Sequence, residues 1–152
     1  MEDFTNYKKP SMYIAFPSCT FKCERECGQR ICQNSSLVQA PTLTIGVHSI
    51  INKYINNPIT SAIVIGGLEP FDSEEDLLVL IAYIRVSTQD DIVIYTGYTK
   101  EEIQNREIYQ YLFDAKNIII KFGRFIPGQE PHYDEVLGIN LASDNQYAER
   151  IS

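Results

Sequence analysis

The stretch SAIVIGGLEP, residues 61–70, contains the clearest signal of the fold. Residues 61–65 form a short, mainly apolar run, which is typical of a buried strand, and the paired glycines that follow end it. Similar runs occur at 12–16 (MYIAF), 92–95 (IVIY) and 117–121 (NIIIK). Runs this apolar indicate strands that are covered on both faces, and we expect the 12–16 strand near the centre of the sheet.

Segments with helical spacing separate the apolar runs. Residues 49–56 are predicted to form one helix, and Ser73, followed by three acidic residues, is placed as the N-cap of a second. Thr99 and Glu102 form a capping box for a third helix, which is expected to run to about Asp114. The alternation of strands and helices predicts an α/β fold with a mostly parallel sheet, either as a layer or as an open barrel. The tail from residue 123 onward yields no firm prediction.

Length and composition limit the possible classes of protein. A chain of 152 residues with 44% hydrophobic and 22% charged residues is typical of a single globular domain, here 1–152. We expect a cytoplasmic protein that uses no membrane, because no apolar run is long enough to span one and the N-terminus lacks a secretory signal. A net charge of −7 without a basic cluster predicts no binding to nucleic acid.

All four cysteines lie close together, in the pattern Cys19-x3-Cys23-x3-Cys27-x4-Cys32. Clustered thiols in a reducing compartment point to metal or redox chemistry rather than to disulfides. A 4Fe–4S cluster is commonly held by cysteines spaced closely along the chain. Zinc sites usually contain Cys-x2-Cys pairs, and no neighbouring pair here has that spacing. An iron–sulfur site is therefore favoured, and a zinc-stabilised interaction module remains the alternative.

The distinctive segments share one position in the predicted sheet. Residues 19–32 follow the first strand, residues 66–70 follow the second, and residues 96–98 follow the third. Open parallel sheets bind their ligands at the carboxyl ends of the strands, where these loops meet. We therefore expect a single active site.

Cys19-x3-Cys23, followed by another cysteine, resembles the radical S-adenosylmethionine superfamily. In that superfamily three cysteines hold a 4Fe–4S cluster, and its open iron binds the methionine amine and carboxylate of S-adenosylmethionine. One electron then cleaves the sulfonium bond and releases a 5′-deoxyadenosyl radical. The third ligand stays open between Cys27 and Cys32, because the superfamily's usual third cysteine comes two residues after the second. We favour Cys32, since Gln33 and Asn34 follow it as in the activating proteins.

The segment Gly66-Gly67-Leu68-Glu69-Pro70 resembles the Gly-Gly-Glu-Pro motif of the same superfamily, with Leu68 as an extra residue. The resemblance implies that Gly66, Gly67 and Glu69 bind the methionine amine of the cofactor. An ordinary strand-to-helix turn is the alternative for this segment on its own. Thr96, after the next predicted strand, is a further candidate for hydrogen bonding to the cofactor or the substrate, and a turn that only ends the strand is the alternative.

Further segments resemble the activating proteins of anaerobic ribonucleotide reductases, in matching order and spacing. They are Tyr95-Thr96-Gly97-Tyr98, Gly123-Arg124-Phe125 and Ser143-Asp144-Asn145-Gln146. That family often has Asp before the Gly-Arg pair, where this chain has Phe122. The resemblance implies a single-domain partial (β/α) barrel that generates a glycyl radical on a large partner subunit.

The resemblance also implies that reduced flavodoxin or a similar protein donates the electron, and that no residue need act as a catalytic acid or base. Activation of another glycyl-radical enzyme, or modification of a small molecule, is the alternative within the superfamily.

Overall fold

A six-stranded sheet organises the computed structural model, which describes residues 1–20, 22–29 and 35–152. In chain order, the strands of this sheet and of a separate two-stranded hairpin are β1 (Glu2–Asp3), β2 (Ser11–Phe16), β3 (Ala62–Gly67), β4 (Asp91–Tyr95), β5 (Ile118–Phe122), β6 (His132–Asp134), β7 (Ile139–Leu141) and β8 (Tyr147–Arg150). The order across the sheet is β1-β2-β3-β4-β5-β8, while β6 and β7 form the hairpin. Strands β2 to β5 run parallel, and β1 and β8 pair antiparallel at the two edges.

Helices occupy the connections between the parallel strands. They are α1 (Lys22–Cys27), α2 (Ser35–Val38), α3 (Val47–Ile55), α4 (Glu74–Ser87), α5 (Lys100–Ile103) and α6 (Glu107–Ala115), with a 3-10 turn at Pro70–Asp72. The prediction of an α/β fold with a mostly parallel sheet is therefore confirmed. The partial barrel stays a prediction. Among the described residues, no helix is both long enough and apolar enough to cross a bilayer.

The two faces of the sheet are covered by different elements. Because side chains alternate along each strand, successive residues pack against different elements. On β3, Ile63 and Ile65 belong to the larger apolar cluster, which also contains the inward residues of α3, α4, α5 and α6. Ala62 and Val64, which alternate with them, belong to a second cluster that includes Leu137 and Tyr7. Side chains alternate between faces along a strand, so the helices cover one face and the hairpin region covers the other.

The first predicted strand is present, but its expected central position is wrong. Strand β2 lies next to the two-residue edge strand β1, so little of the sheet protects it on that side. Ala15 is exposed and Tyr13 is half-buried, although both belong to the apolar run. The fully buried centre is instead β3 and β4. An apolar run indicates that the faces of a strand are buried. The position of the strand in the sheet depends on which other strands pair with it.

The helix expected from Thr99 to Asp114 is two helices, α5 and α6, with a break between them. The predicted capping box is present, because Thr99 and Glu102 exchange side-chain-to-backbone hydrogen bonds. Ile103 and Ile108 explain the break. On one continuous helix they would point about 140° apart, given roughly 100° per residue. The break at Arg106, whose backbone is extended, lets both side chains reach the core.

The amino end of the sheet is fastened by Asp91, the first residue of β4. Its carboxylate accepts hydrogen bonds from Lys9 Nζ at 2.6 Å, Tyr7 Oη at 2.9 Å and Arg150 Nη2 at 2.9 Å. These partners come from the N-terminal segment and from β8, neither of which yielded a sequence prediction. Asp91 therefore ties both ends of the chain to the central sheet.

Candidate functional site

A cavity of about 280 Å³ lies at the carboxyl ends of the parallel strands, between the sheet and the β6–β7 hairpin. Cys19, Gly67, Glu69 and Thr96 all line it. The structure thus brings together candidates from three separate loops, as the parallel topology predicts. Gly66 contributes differently, because it lies behind Gly67 against the Tyr13 ring.

Glu69 is the central polar group of the cavity, with only 5% of its surface exposed. Its Oε1 accepts hydrogen bonds from Thr96 Oγ1 at 2.8 Å and from the Phe71 amide at 3.1 Å. Its Oε2 accepts from the Gly97 amide at 2.8 Å. Burial raises the pKa of Glu69 above its usual range, and the hydrogen bonds from Gly97, Thr96 and Phe71 only partly offset this. A ligand cation in the cavity would favour the ionised carboxylate.

Thr96 acts as a connector between two loops. Its hydroxyl donates to Glu69 and also accepts the amide of Tyr98 at 3.0 Å. Thr96 is 3% exposed, so within the cavity its hydroxyl serves Glu69 rather than open solvent. The sequence suggested Thr96 as a partner of the cofactor, and the structure shows that its hydroxyl binds the Glu69 carboxylate.

The two glycines at the end of β3 are required by close packing. Gly67 has a φ of +91°, and a Cβ atom there would lie 2.6 Å from the Phe16 amide nitrogen. A Cβ on Gly66 would lie 2.7 Å from Tyr13 Oη. The same Tyr13 hydroxyl accepts a hydrogen bond from the Gly67 amide at 2.6 Å. The pair therefore keeps the backbone open for close approach at this edge of the cavity.

The cysteine segment is attached to the Glu69 loop through its backbone. The Glu69 amide donates to the Ser18 carbonyl at 2.8 Å, and the Thr20 amide donates to Asp72 Oδ2 at 2.9 Å. Half-buried Cys19 lies between these two contacts. Its position beside Glu69 is thereby set by main-chain bonds on both sides.

The other cysteines are described less fully. Cys23 and Cys27 belong to α1, four residues apart, so their backbone positions are about one helical turn apart. Their side chains, and Cys32 as a whole, lie outside the described part of the structure. Within that part, no three His, Cys, Asp or Glu side chains converge on a metal position. The choice between Cys27 and Cys32 therefore stays a prediction.

Arg124, in the predicted Gly123–Phe125 segment, anchors α1 over the carboxyl end of the sheet. Its Nη2 lies 2.9 Å from Glu102 Oε1, and its Nε lies 3.5 Å from Glu26 Oε2. Only 12% of its side chain is exposed, and its guanidinium lies 5.6 Å from the centre of the Tyr98 ring. The cysteine segment is thus connected to the sheet by side chains as well as by main chain.

Lys121 is a site residue that sequence reasoning missed. It lines the cavity with 7% of its surface exposed, and its Nζ donates to the Gly123 carbonyl at 2.8 Å. Burial lowers its pKa to about 8, although the Glu69 carboxylate acts in the opposite direction. The available signal was a lysine at the end of the apolar run NIIIK, where a buried strand rarely carries a charge.

The donor chemistry of this site fits an iron–sulfur cluster with an organic cofactor beside it. Thiols are the ligands that iron–sulfur clusters use, and Cys19 is a thiol at the cavity wall with two more cysteine positions in the next helix. The cavity adds a buried carboxylate and a glycine edge that a Cβ would fill. These are features that bind a small polar ligand closely.

Comparison with protein families gives a match over most of the chain. A family model described as a 4Fe-4S single cluster domain matches residues 11–146, a range that includes all four cysteines, Glu69 and Thr96. Comparison with curated proteins found no significant match, and comparison with solved structures found none. The family match supports the predicted iron–sulfur cluster in preference to zinc. The chain therefore belongs to the 4Fe-4S single cluster domain family.

Proposed function

We propose that this protein is a radical S-adenosylmethionine activating enzyme that generates a glycyl radical on a partner enzyme, an anaerobic ribonucleotide reductase. The observation that carries the proposal is the buried Glu69 carboxylate in the same cavity as Cys19. A carboxylate held beside a cluster-binding thiol suits a cofactor whose amino group would bind iron and donate a hydrogen bond to that carboxylate. The resemblance of the surrounding segments to the activating proteins supports the same conclusion.

Each residue has a distinct role in this proposal. Cys19, Cys23 and either Cys32 or Cys27 hold the 4Fe–4S cluster. Glu69 accepts a hydrogen bond from the methionine amino group, and Thr96 and Gly97 hold the Glu69 carboxylate in place. Gly67 lets the cofactor approach the backbone. When bound, the cluster supplies the electron that cleaves S-adenosylmethionine. The reaction then moves a hydrogen atom, so no side chain of the chain has to act as a general acid or base.

The partner follows from the resemblance. A large glycyl-radical subunit would present a glycine Cα for hydrogen abstraction, and reduced flavodoxin or a similar protein would deliver the electron. Both partners are proposed from the resemblance alone.

The test begins with anaerobic reconstitution and analysis of iron and sulfide. The loaded protein is then incubated with S-adenosylmethionine and dithionite, and 5′-deoxyadenosine is measured. We expect 5′-deoxyadenosine from the wild type. Glu69→Gln should keep the cluster but bind S-adenosylmethionine weakly, while Glu75→Gln, on the exposed side of α4, should behave as the wild type. A cluster-loaded wild type that produces no 5′-deoxyadenosine would refute the proposal.

A second measurement tests the partner. Incubating the active protein with an anaerobic ribonucleotide reductase should give the doublet of a glycyl radical in the EPR spectrum. The reductase with its radical glycine replaced by alanine is the matched control. Cleavage of the cofactor without that doublet would assign the protein to another target.

A further inference from the structure

Lys121 lies on the face of β5 that meets the cavity. Its strand neighbours Ile120 and Phe122 pack in the helix-side core, whereas Ile119 packs on the hairpin face. Because side chains alternate along a strand, Lys121 shares the face of Ile119. It pairs in register with Tyr95 of β4, and its Nζ lies 5.8 Å from the centre of the Tyr95 ring. The lysine head is therefore held at the wall of the cavity.

The ammonium group of Lys121 has more donors than the protein satisfies. An ammonium has three N–H donors. Within the described part of the chain, its only hydrogen-bond partner is the Gly123 carbonyl, and none of the ion pairs found there includes Lys121. Burial of an ammonium group is costly, and the Glu69 carboxylate in the same cavity offsets this cost only in part, because burial still lowers the pKa of Lys121. The remaining N–H donors of Lys121 are therefore available to an anion that enters the cavity.

Glu69 supplies the opposite charge in the same cavity. Its Oε2 accepts one hydrogen bond, from Gly97, and retains acceptor capacity. A cavity with one buried carboxylate and one buried ammonium is complementary to a ligand that carries both charges close together. The α-amino acid end of a small molecule is such a group.

We propose that Lys121 binds the carboxylate of the methionyl group of S-adenosylmethionine and makes the cavity select ligands that keep that carboxylate. This inference rests on the proposed function, because it takes the cofactor from there. It adds a specificity residue outside the glycine-rich segment and the cysteine loop.

The experiment measures binding without turnover. Reconstituted protein, without reductant, is titrated with S-adenosylmethionine and with decarboxylated S-adenosylmethionine, which lacks only the carboxylate. Lys121→Met should weaken the Kd for S-adenosylmethionine roughly 10- to 100-fold, as expected for loss of a hydrogen bond between charged groups. The Kd for decarboxylated S-adenosylmethionine should change less than about twofold. Lys53→Met, on the exposed surface of α3, should change neither.

The outcomes separate this inference from the proposed function. Equal weakening of both ligands would show that Lys121 only supports the loop at Gly123, and it would overturn the inference while leaving the enzyme proposal standing. No binding of S-adenosylmethionine by the loaded wild type would overturn both. Met is close to Lys in shape, and the substitution removes a charge whose burial is costly, so we expect Lys121→Met to fold. If Lys121→Met loses the cluster, Lys121→Gln is used instead, because its amide can still donate to the Gly123 carbonyl. The Kd values for the two ligands are then compared between Lys121→Gln and the wild type.

Discussion

The Thr96 hydroxyl donates a hydrogen bond of 2.8 Å to the buried carboxylate of Glu69, and this contact joins the loops that follow β4 and β3. Both residues are almost fully buried, so neither exchanges this bond for water. The carboxylate is also held by two backbone amides, from Phe71 and Gly97. The geometry of the cavity therefore depends on one polar network.

Replacing Thr96 by valine tests this network. Thr96→Val removes a hydrogen bond to a charged group, which should lower the free energy of unfolding by about 2 kcal/mol at pH 7. The folded pKa of Glu69 is already raised, and loss of the Thr96 hydrogen bond should raise it further. The variant should therefore lose more stability at pH 7, where Glu69 ionises, than at pH 4. Urea denaturation at the two pH values measures this. Thr96→Ser keeps the hydroxyl and serves as the control; an equal loss in both variants would contradict the prediction.

Substitutions at two glycines with positive φ can distinguish the free-energy cost of backbone strain from that of steric crowding. Gly67→Ala adds a Cβ within 2.6 Å of the Phe16 amide nitrogen, whereas Gly128→Ala, at φ +82°, meets nothing within 4 Å. Gly128→Ala should cost about 1 kcal/mol from strain alone. Gly67→Ala should cost at least about 3 kcal/mol, because the neighbouring backbone must shift as well. Thermal unfolding of both variants gives the comparison, and similar losses would mean that crowding at Gly67 is unimportant.

The lowered pKa of Lys121 predicts how stability changes with pH. Between pH 8 and about 10.4, the unfolded lysine still binds a proton that the folded one has lost. The unfolded state then binds more protons, so the contribution of Lys121 to the free energy of unfolding rises with pH across that window. We expect the wild type to gain stability relative to Lys121→Met from pH 8 to 10 in urea titrations. A constant difference would mean that the pKa of Lys121 is not lowered.

Asp91 should make the protein sensitive to acid. Burial raises the pKa of its carboxyl, but the hydrogen bonds from Lys9, Arg150 and Tyr7 outweigh that effect and lower it overall. Ionised Asp91 therefore adds to the free energy of unfolding at pH values above its unfolded pKa of about 3.9. This stabilisation is lost as the pH falls through the pKa of Asp91 in the folded protein. Asp91→Asn should lose about 2 kcal/mol at pH 6, with a smaller loss at pH 3.

The matched control for Asp91 is Asp144→Asn, at an exposed position near the C-terminus. It should change the free energy of unfolding by less than about 0.5 kcal/mol at either pH. Denaturation curves at pH 6 and pH 3 supply both values. A loss in Asp91→Asn that is the same at both pH values would show that the carboxylate charge is not what holds the two chain ends.

The third cluster ligand can be decided by two cysteine variants. We expect Cys32→Ala to lose iron and sulfide after reconstitution, and Cys27→Ala to retain them. Iron analysis and the absorption near 400 nm measure the cluster content. Retention by Cys32→Ala together with loss by Cys27→Ala would reverse the assignment. Cys19→Ala, at the cavity wall, should lose the cluster in either case.

Local patterns predicted most of the parallel core. The strands at 61–65, 92–95 and 117–121 and the capping box at Thr99 were all found within a few residues of their expected positions. Such signals are readable because burial of a strand and capping of a helix depend on neighbours in sequence. The hairpin and β8 were missed, since their pairing depends on partners far along the chain.

The sequence by itself determined that four thiols lie on one short segment, and that glycine-rich and polar turns follow buried strands. Those features are local, and they indicated an iron–sulfur domain. Only the tertiary structure decided that Thr96 binds Glu69, that β2 lies near an edge, and that Lys121 is buried at the cavity. The physical reason is that desolvation and hydrogen bonding between distant residues arise only when the strands pair side by side.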